Sequence, residues 1–204
     1  MLYPQDHFYP HFIDLLAEIA RAPLVLDLGT YSGFRKELSL HRSLFRNRYY
    51  AMDLTYERGN EGPDVVGDIL RLPFANASAD AVLCKEVLEH VRDPASAVGE
   101  IHRVLKQGGA VMCTVPFLHP YHGKRGQLPD FWRFTEEGAA QLFSAFTSVE
   151  VRRAGGAIFV LRVFSPPWLR KALSSRLLAP VLNLLDRVTL RFGATHLFMV
   201  LARK

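Results

Sequence analysis

The 204-residue sequence has few cysteines: only Cys84 and Cys113 are present. Both lie in apolar runs, far apart along the chain, and they form neither a CxxC pair nor a Cys/His spacing suited to a metal ion. A disulfide framework is therefore not expected. We predict two buried, reduced thiols, no metal site and a cytoplasmic location.

Long hydrophobic runs are also lacking. No stretch reaches the roughly 18 apolar residues that indicate a membrane span. Residues 1–6 lack the basic start and the continuous apolar stretch of a signal peptide. Because no repeated or low-complexity segment divides the chain, we predict one domain over residues 1–204, cytoplasmic and at most peripheral to a membrane.

Acidic residues are the scarcer charged type. The 20 Asp and Glu residues are outnumbered by 25 Lys and Arg residues, which gives a formal net charge of +5. This balance favours anionic partners, among them phosphorylated substrates, anionic lipid surfaces and nucleic acid. The charge alone does not choose among these three classes.

Strand-like apolar runs alternate with helical patterns over most of the chain, which predicts an α/β fold with a mostly parallel sheet and helices on both faces. One helix is expected after Asp93, with Pro94 at its first position and a stop at Gly108. A second is expected from Thr135 towards Phe146. The candidate strands are residues 24–28, 49–53, 65–68, 81–84, 110–115, 149–153 and 196–202.

Residues 155–194 break this alternation and are predicted to form a helical insertion before the last strand. From Pro166 onward, leucine and valine recur at helical spacing, which indicates one or two basic amphipathic helices broken near Pro180. The segment is either a cover on the domain's own core, a contact with anionic lipid through residues 166–191, or a homodimer surface. The basic residues are Arg170, Lys171, Arg176, Arg187 and Arg191.

A strand running into a glycine turn occupies residues 24–33. Gly29 can adopt backbone angles closed to other residues, which lets main-chain N–H groups approach a ligand. Asp53 ends the second strand, where its carboxylate can accept hydrogen bonds from both ribose hydroxyls of a nucleoside. Asp68 ends the third strand and could accept from an adenine amino group, while Ile69 packs on the ring.

The segments 25–29, 50–54, 67–74, 79–91 and 100–109, taken in order, resemble the type 11 methyltransferases that depend on S-adenosylmethionine (SAM). The resemblance implies a Rossmann-like sheet of seven strands, the last one antiparallel, with SAM as the cofactor.

The same resemblance implies that Asp27 and Gly29 hold the methionine end of SAM, Asp53 the ribose, and Asp68 with Ile69 the adenine. His90 matches a family position near the cofactor, although it could instead only fix the start of the following helix. Further candidate cofactor contacts are Thr30, Gly33, Leu54 and Lys85.

One departure from the family pattern stands in the glycine loop. Tyr31 occupies a position that is usually glycine, so its side chain either crowds the methionine end or lines the pocket. A dinucleotide-binding Rossmann domain is the rival for this crevice. It is disfavoured because Tyr31 and Phe34 take the second and third glycine positions of the G-x-G-x-x-G fingerprint.

Residues 115–135 form a predicted loop in which aromatic, basic and histidine side chains are mixed. Loops at this edge of an open α/β sheet are where substrates meet cofactors. Residues 122–135 also resemble a motif in a branch of the same family that is often associated with modification of surface glycans. A hydroxyl acceptor would need a base, and His122 or His119 could take its proton.

The candidate substrate contacts in this loop are Tyr121, Asp130, Trp132 and Arg133. Each has a structural alternative: Trp132 could be a core anchor, Asp130 could pair with Arg133, and His122 could hydrogen-bond within the loop. Both readings stay open from the sequence.

The sequence therefore predicts a SAM-dependent methyltransferase whose acceptor is a small molecule, a glycan or a lipid-linked compound. The alternative is a non-catalytic SAM-binding or interaction module, which Tyr31 favours. Nucleic-acid methylation is not expected, because the acceptor loop lacks an Asn-Pro-Pro-Tyr type motif and no separate RNA-binding domain is recognisable.

Overall fold

A computed structural model describes residues 8–29, 44–45, 47–54, 63–123, 128–175 and 178–204. Within them, seven strands form one sheet in the order β3-β2-β1-β4-β5-β7-β6. The strands are β1 (Leu24–Leu28), β2 (Arg48–Asp53), β3 (Val65–Val66), β4 (Ala79–Lys85), β5 (Leu105–Pro116), β6 (Ser148–Ala154) and β7 (Leu197–Arg203).

The pairs β1/β2, β1/β4, β2/β3 and β4/β5 are parallel, whereas β7 runs antiparallel to both β5 and β6. This confirms the predicted mostly parallel, Rossmann-like sheet with an antiparallel last strand. The described helices are α1 (Tyr9–Ala20), a 3-10 turn (Leu88–His90), α2 (Pro94–Val104), α3 (Glu136–Leu142), α4 (Ala157–Phe164), α5 (Pro167–Leu173) and α6 (Ala179–Arg191).

Successive side chains of a strand point to opposite faces of the sheet. Helices pack on both faces, so each face carries its own apolar cluster. On one face, Leu26 and Val82 pack in a cluster with α2 and α3. On the other, Val25 and Leu83 pack with α1 and with Phe159 of α4. Cys84 and Cys113 are buried and free, as predicted.

Two helix ends differ from the sequence prediction. α2 has its expected cap, since the Asp93 side chain accepts from the backbone N–H of Ser96. It ends at Val104, however, and Gly108 lies inside β5. There the Gly108 N–H donates to the carbonyl of Lys204, which joins the glycine pair to the end of the last strand. Gly108 was expected to stop the helix, whereas the chain has already entered β5 at Leu105, three residues earlier.

α3 is capped by the Thr135 side chain, which accepts from Gly138 N–H. It was expected to run towards Phe146 but ends at Leu142. Beyond its end, Phe143 and Phe146 turn into the core and are 0% and 6% exposed. The tertiary contacts of these rings, rather than helical periodicity, set the path of the chain.

The insertion between β6 and β7 holds α4, followed by two helices, α5 and α6, in the part from Pro166 onward where one or two were predicted. α4 packs its Phe159 ring edge-on against Phe8 at 5.2 Å between centroids, so this helix covers the core. α5 ends at Leu173 and α6 begins at Ala179, and Pro180 is the second residue of α6, where a missing N–H costs nothing. Arg176 lies outside the described residues. Among the described helices, none is both long and apolar enough to cross a bilayer.

Candidate active site

The carboxyl ends of β1, β2, β4 and β5 lie at one edge of the sheet, since these strands are parallel. The antiparallel β7 starts at this same edge, because Pro116 at the end of β5 pairs with Leu197. Open α/β sheets bind ligands in the crevice at such an edge. The candidate site is built there from strand ends and from residues 117–123 and 128–134, the described parts of the segment after β5.

Gly29 follows β1 with a φ of +74°, a conformation that L side chains rarely adopt. Its N–H donates to the carbonyl of Met52 at 2.8 Å. A Cβ placed on it would lie 2.4 Å from Cγ2 of Val87, in the segment after β4. The turn therefore requires glycine for both its backbone angle and its close approach. Thr30, Gly33 and Tyr31 lie outside the described residues.

Asp27 is 1% exposed within β1, and the Tyr49 hydroxyl on β2 donates to its carboxylate. Burial of a charged group requires such a partner. Asp27 is thus fixed beneath the crevice, and its predicted contact with the methionine end of SAM stays a prediction.

Asp53 ends β2 beside Gly29, in the strand that pairs with β1. Its Oδ1 accepts from the Leu54 N–H at 2.6 Å, and its carbonyl accepts from Gly67 N–H at 2.9 Å. The Leu54 side chain is 64% exposed. These two hydrogen bonds fix the backbone and the carboxylate of Asp53 at the end of β2. Its contact with the ribose of SAM stays a prediction.

Asp68 is exposed after β3, and its Oδ1 accepts from the Leu70 N–H at 2.9 Å. Ile69 is only 8% exposed and belongs to the core cluster on the α2 face. Little of its side chain is available to an adenine ring. The proposed adenine contacts of this pair stay predictions, with Asp68 the more accessible of the two.

Lys85 ends β4, with its Nζ 5.8 Å from the centroid of the Phe12 ring. Glu86 follows with a φ of +54°, which is uncommon outside glycine. Its Oε1 accepts from the Thr114 hydroxyl at 3.0 Å, and its N–H lies 3.2 Å from the Thr114 carbonyl. Strained residues of this kind concentrate at functional sites. Glu86 was not among the predicted site residues, although an acidic residue at the end of an apolar strand is a usable signal in the sequence.

Four imidazoles form a row along this edge, in the order His90, His122, His119, His196. Successive ring centroids are 4.8, 4.6 and 4.9 Å apart. The rings come from the turn after β4, the loop after β5 and the residue before β7. The structure thus brings together His90, His119 and His122, which were all predicted to be site residues. It adds His196, which was not predicted because it belongs to no recognisable sequence motif.

His196 is buried, and its Nδ1 lies 3.0 Å from the Leu118 carbonyl. Burial lowers its pKa to about 4, so the ring is neutral at pH 7. Burial also lowers the pKa of His90 and of His122. His90, His122 and His196 are consequently neutral imidazoles around neutral pH, each with one ring nitrogen able to accept a proton or a metal ion.

Glu89 is a buried carboxylate beside this row that the sequence analysis also left unassigned. Neither of its side-chain oxygens has a hydrogen-bond partner among the described residues. Burial, followed by the nearby charge of Glu86, raises the pKa of Glu89 well above its usual range. A buried polar group without a partner is rare in folded proteins and indicates a functional role or a bound species.

Arg133 ties the loop together. It pairs with Asp130 through Nη1 at 2.5 Å and Nη2 at 2.8 Å. It also donates to the carbonyls of His119 and Pro120 at 3.1 and 2.9 Å. The hydrogen bond from Arg133 holds the pKa of Asp130 well below its usual range. Asp130 and Arg133 therefore pair with each other, which is the structural role considered for them from the sequence. Their contact with a substrate stays a prediction.

Trp132 and Tyr121 both face outward, at 43% and 69% exposure. The indole N–H of Trp132 donates to the carbonyl of Val91 at 2.8 Å, and the N–H of Phe131 donates to the carbonyl of Glu89 at 2.7 Å. These bonds fasten the loop to the turn after β4. The Trp132 side chain is therefore held by its indole nitrogen while part of its ring stays exposed. Of the two candidate substrate contacts, Tyr121 is the more accessible.

Comparison with known families places this edge in context. Residues 26–113 match a family model described as "Methyltransferase domain". A probable S-adenosylmethionine-dependent methyltransferase of Mycolicibacterium smegmatis is 31% identical over 103 residues, covering 50% of this chain and 33% of that protein. A ubiquinone/menaquinone biosynthesis C-methyltransferase of Desulfotalea psychrophila is 33% identical over 118 residues, covering 53% and 48%. The chain spans between a third and a half of the length of these curated relatives.

The whole fold is also similar to solved structures. A SAM-dependent methyltransferase from Archaeoglobus fulgidus superposes with a TM-score of 0.63, covering 96% of this chain and 92% of that one at 11% identity. At that identity the likeness shows the fold alone. It extends over the insertion and the last strand, beyond the segment matched by the family model.

Proposed function

We propose that residues 26–113 belong to a class I SAM-dependent methyltransferase domain, and that the chain transfers a methyl group from SAM to a small-molecule, glycan or lipid-linked acceptor. The observation that carries this proposal is the pairing of Gly29 and Asp53 at neighbouring strand ends. A tight glycine turn at one strand end, next to a carboxylate at the neighbouring strand end, suits a nucleoside cofactor.

Methyl transfer is an in-line displacement at a sulfonium methyl, so alignment in a site that excludes water supplies much of the rate. The row of histidines lies at the same sheet edge as residues 117–123 and 128–134, which would receive the acceptor. A hydroxyl acceptor must lose its proton, and the imidazole of His119 or His122 can take it. In our proposal Tyr121 and the ring of Trp132 contact the acceptor, because both are exposed.

We expect isothermal calorimetry to show micromolar binding of SAM and of its demethylated product to the wild-type chain. In our proposal the glycine turn at Gly29 lets the cofactor approach closely, and the carboxylate of Asp53 accepts from its ribose hydroxyls. Absence of heat and of a thermal shift at millimolar SAM would refute the cofactor assignment. Binding of NADH in place of SAM would instead favour a dinucleotide site, and SAM binding without turnover on any acceptor class would favour a non-catalytic module.

We further propose that α5 and α6 contact an anionic lipid surface. Trp168 and Phe192 are 72% and 85% exposed. Within residues 166–191 the one acidic side chain, Asp186, is buried, so the surface charge of this segment is basic. A basic rim around exposed apolar side chains complements anionic headgroups. The exposed basic residues are Arg170, Lys171, Arg187 and Arg191.

Replacing Arg170 and Lys171 by glutamine should weaken binding to phosphatidylserine vesicles by about 2 kcal/mol, near thirtyfold, since each basic residue contributes about 1 kcal/mol. Vesicle sedimentation measures this. Wild-type binding should exceed that to neutral vesicles and fall with salt, which screens charges over about 10 Å at 0.1 M.

The matched control is Arg21→Gln with Arg48→Gln, which removes the same charge from exposed positions away from α5 and α6. It should leave vesicle binding unchanged beyond a small general loss. A wild-type chain that ignores anionic vesicles at low salt and forms a homodimer in solution would show that a second copy covers this surface.

A further inference from the structure

Glu89, His90 and His122 bring three side chains of ligand type together beside the acceptor loop. The Nε2 atoms of His90 and His122 are 3.1 Å apart. Oε1 of Glu89 lies 3.8 Å from the first of these nitrogens and 3.7 Å from the second. Neither separation between oxygen and nitrogen is a hydrogen bond, so the carboxylate is close to both rings without being bonded to either.

The hydrogen bonds of the two rings fix where their protons lie. Nδ1 of His90 faces the carbonyl of Pro129 at 2.5 Å, and a carbonyl oxygen only accepts. Nδ1 of His122 faces the Pro120 carbonyl at 3.4 Å and Oδ2 of Asp130 at 3.3 Å, which are likewise acceptors. Both Nδ1 atoms therefore carry hydrogen, and both neutral rings present an Nε2 lone pair to the other.

Two facing lone pairs repel unless a positive species lies between them. A single shared proton would relieve this repulsion, but it would leave both oxygens of Glu89 without a partner. A metal ion satisfies all three groups together, because it accepts electron pairs from two imidazoles and a carboxylate. Burial of Glu89, whose side chain is 0% exposed, makes a partner for it energetically important.

We propose that Glu89, His90 and His122 form a binding site for a divalent transition-metal ion of the zinc type. The three distances define a triangle whose corners are all about 2.1 Å from one point, which matches Zn–N and Zn–O bond lengths. Two imidazoles with one carboxylate are a ligand set that zinc and its neighbours in the first transition row favour.

The surroundings are those of a metal site. Ligating histidines usually donate their other ring N–H to a carbonyl or a carboxylate, as both rings do here. The His122 side chain is 30% exposed, which gives an ion a route from solvent. Three protein ligands also leave a fourth position open, as in catalytic rather than structural zinc sites.

An acceptor oxygen could fill this open position, where the ion would lower the pKa of a hydroxyl group. His122 would then act as a ligand, and His119, with its ring centroid 4.6 Å from that of His122, would be the free imidazole for the proton. This extension rests on the proposed methyl transfer, whereas the metal site itself does not.

The test uses untagged protein, because a histidine tag would bind the same ions. Chelator-treated wild type should take up about one equivalent of Zn²⁺ per chain, and Co²⁺ in its place should give visible d–d absorption of a low-coordinate site. His122→Ala, His90→Ala and Glu89→Gln should each weaken Zn²⁺ binding at least tenfold. Circular dichroism shows that each variant is folded.

His11→Ala serves as the control, since His11 is exposed on α1 and outside the cluster. It should keep the full Zn²⁺ uptake and the same Co²⁺ spectrum. A wild-type chain that takes up no Zn²⁺ at micromolar concentrations overturns the site. Uptake that survives Glu89→Gln and His122→Ala overturns it as well. Neither measurement includes SAM, so failure here is distinct from failure of the proposed methyl transfer.

Discussion

Replacing Asp53 by alanine is expected to weaken SAM binding by about 2–4 kcal/mol, or roughly 30- to 1000-fold in dissociation constant, the loss expected for a buried pair of charge-assisted hydrogen bonds. Asp53 ends β2 beside the glycine turn, so its carboxylate is placed to accept from both ribose hydroxyls. Calorimetric titration of each variant with SAM measures the change.

Asp53 also accepts from Leu54 N–H, so the alanine variant removes a turn contact as well. Asp53→Asn separates the two effects, because its amide oxygen still accepts from that N–H while the charge is gone. The asparagine variant should keep the wild-type melting temperature without ligand and still lose part of the SAM affinity. Equal SAM affinity in wild type and Asp53→Ala would remove Asp53 from the cofactor site.

Much of the fold could be predicted because its signals are local. Five short apolar runs mark the parallel strands, and those of β1, β4 and β5 are largely buried. The caps at Asp93 and Thr135 use side chains next to the amides they bind. The helix ends at Val104 and Leu142 could not be predicted, because they depend on which rings and strands pack across the sheet.

The candidate site was predictable only in part. Its strand-end residues, such as Gly29 and Asp53, belong to motifs whose spacing is visible in the sequence. The cluster of Glu89 with His90 and His122 joins residues more than 30 positions apart, and no local pattern marks that contact. The sequence also does not show that Glu89 is buried. A carboxylate next to a histidine in sequence is ordinarily solvated, whereas burial leaves this one in need of a partner inside the protein.

Replacing Asp186 by alanine is expected to destabilise the chain by roughly 2–5 kcal/mol, because it leaves two buried amides without an acceptor at about 1–3 kcal/mol each. Asp186 lies on α6 and is 4% exposed. Its carboxylate accepts from Gly156 N–H and Phe159 N–H, each at 2.9 Å, and so caps the first turn of α4 from a different helix. Urea unfolding followed by circular dichroism measures the loss.

The asparagine variant tests whether capping is the cause. Asp186→Asn keeps one acceptor oxygen and loses the charge at the helix N-terminus, so it should destabilise less than alanine does. Asp14→Ala, at an exposed position on α1, should change stability by no more than about 0.5 kcal/mol. If Asp186→Ala were as mild as Asp14→Ala, α6 would not be held to α4 through this carboxylate. The exposed apolar surface of α5 and α6 would then lack the fixed support that docking onto a lipid surface requires.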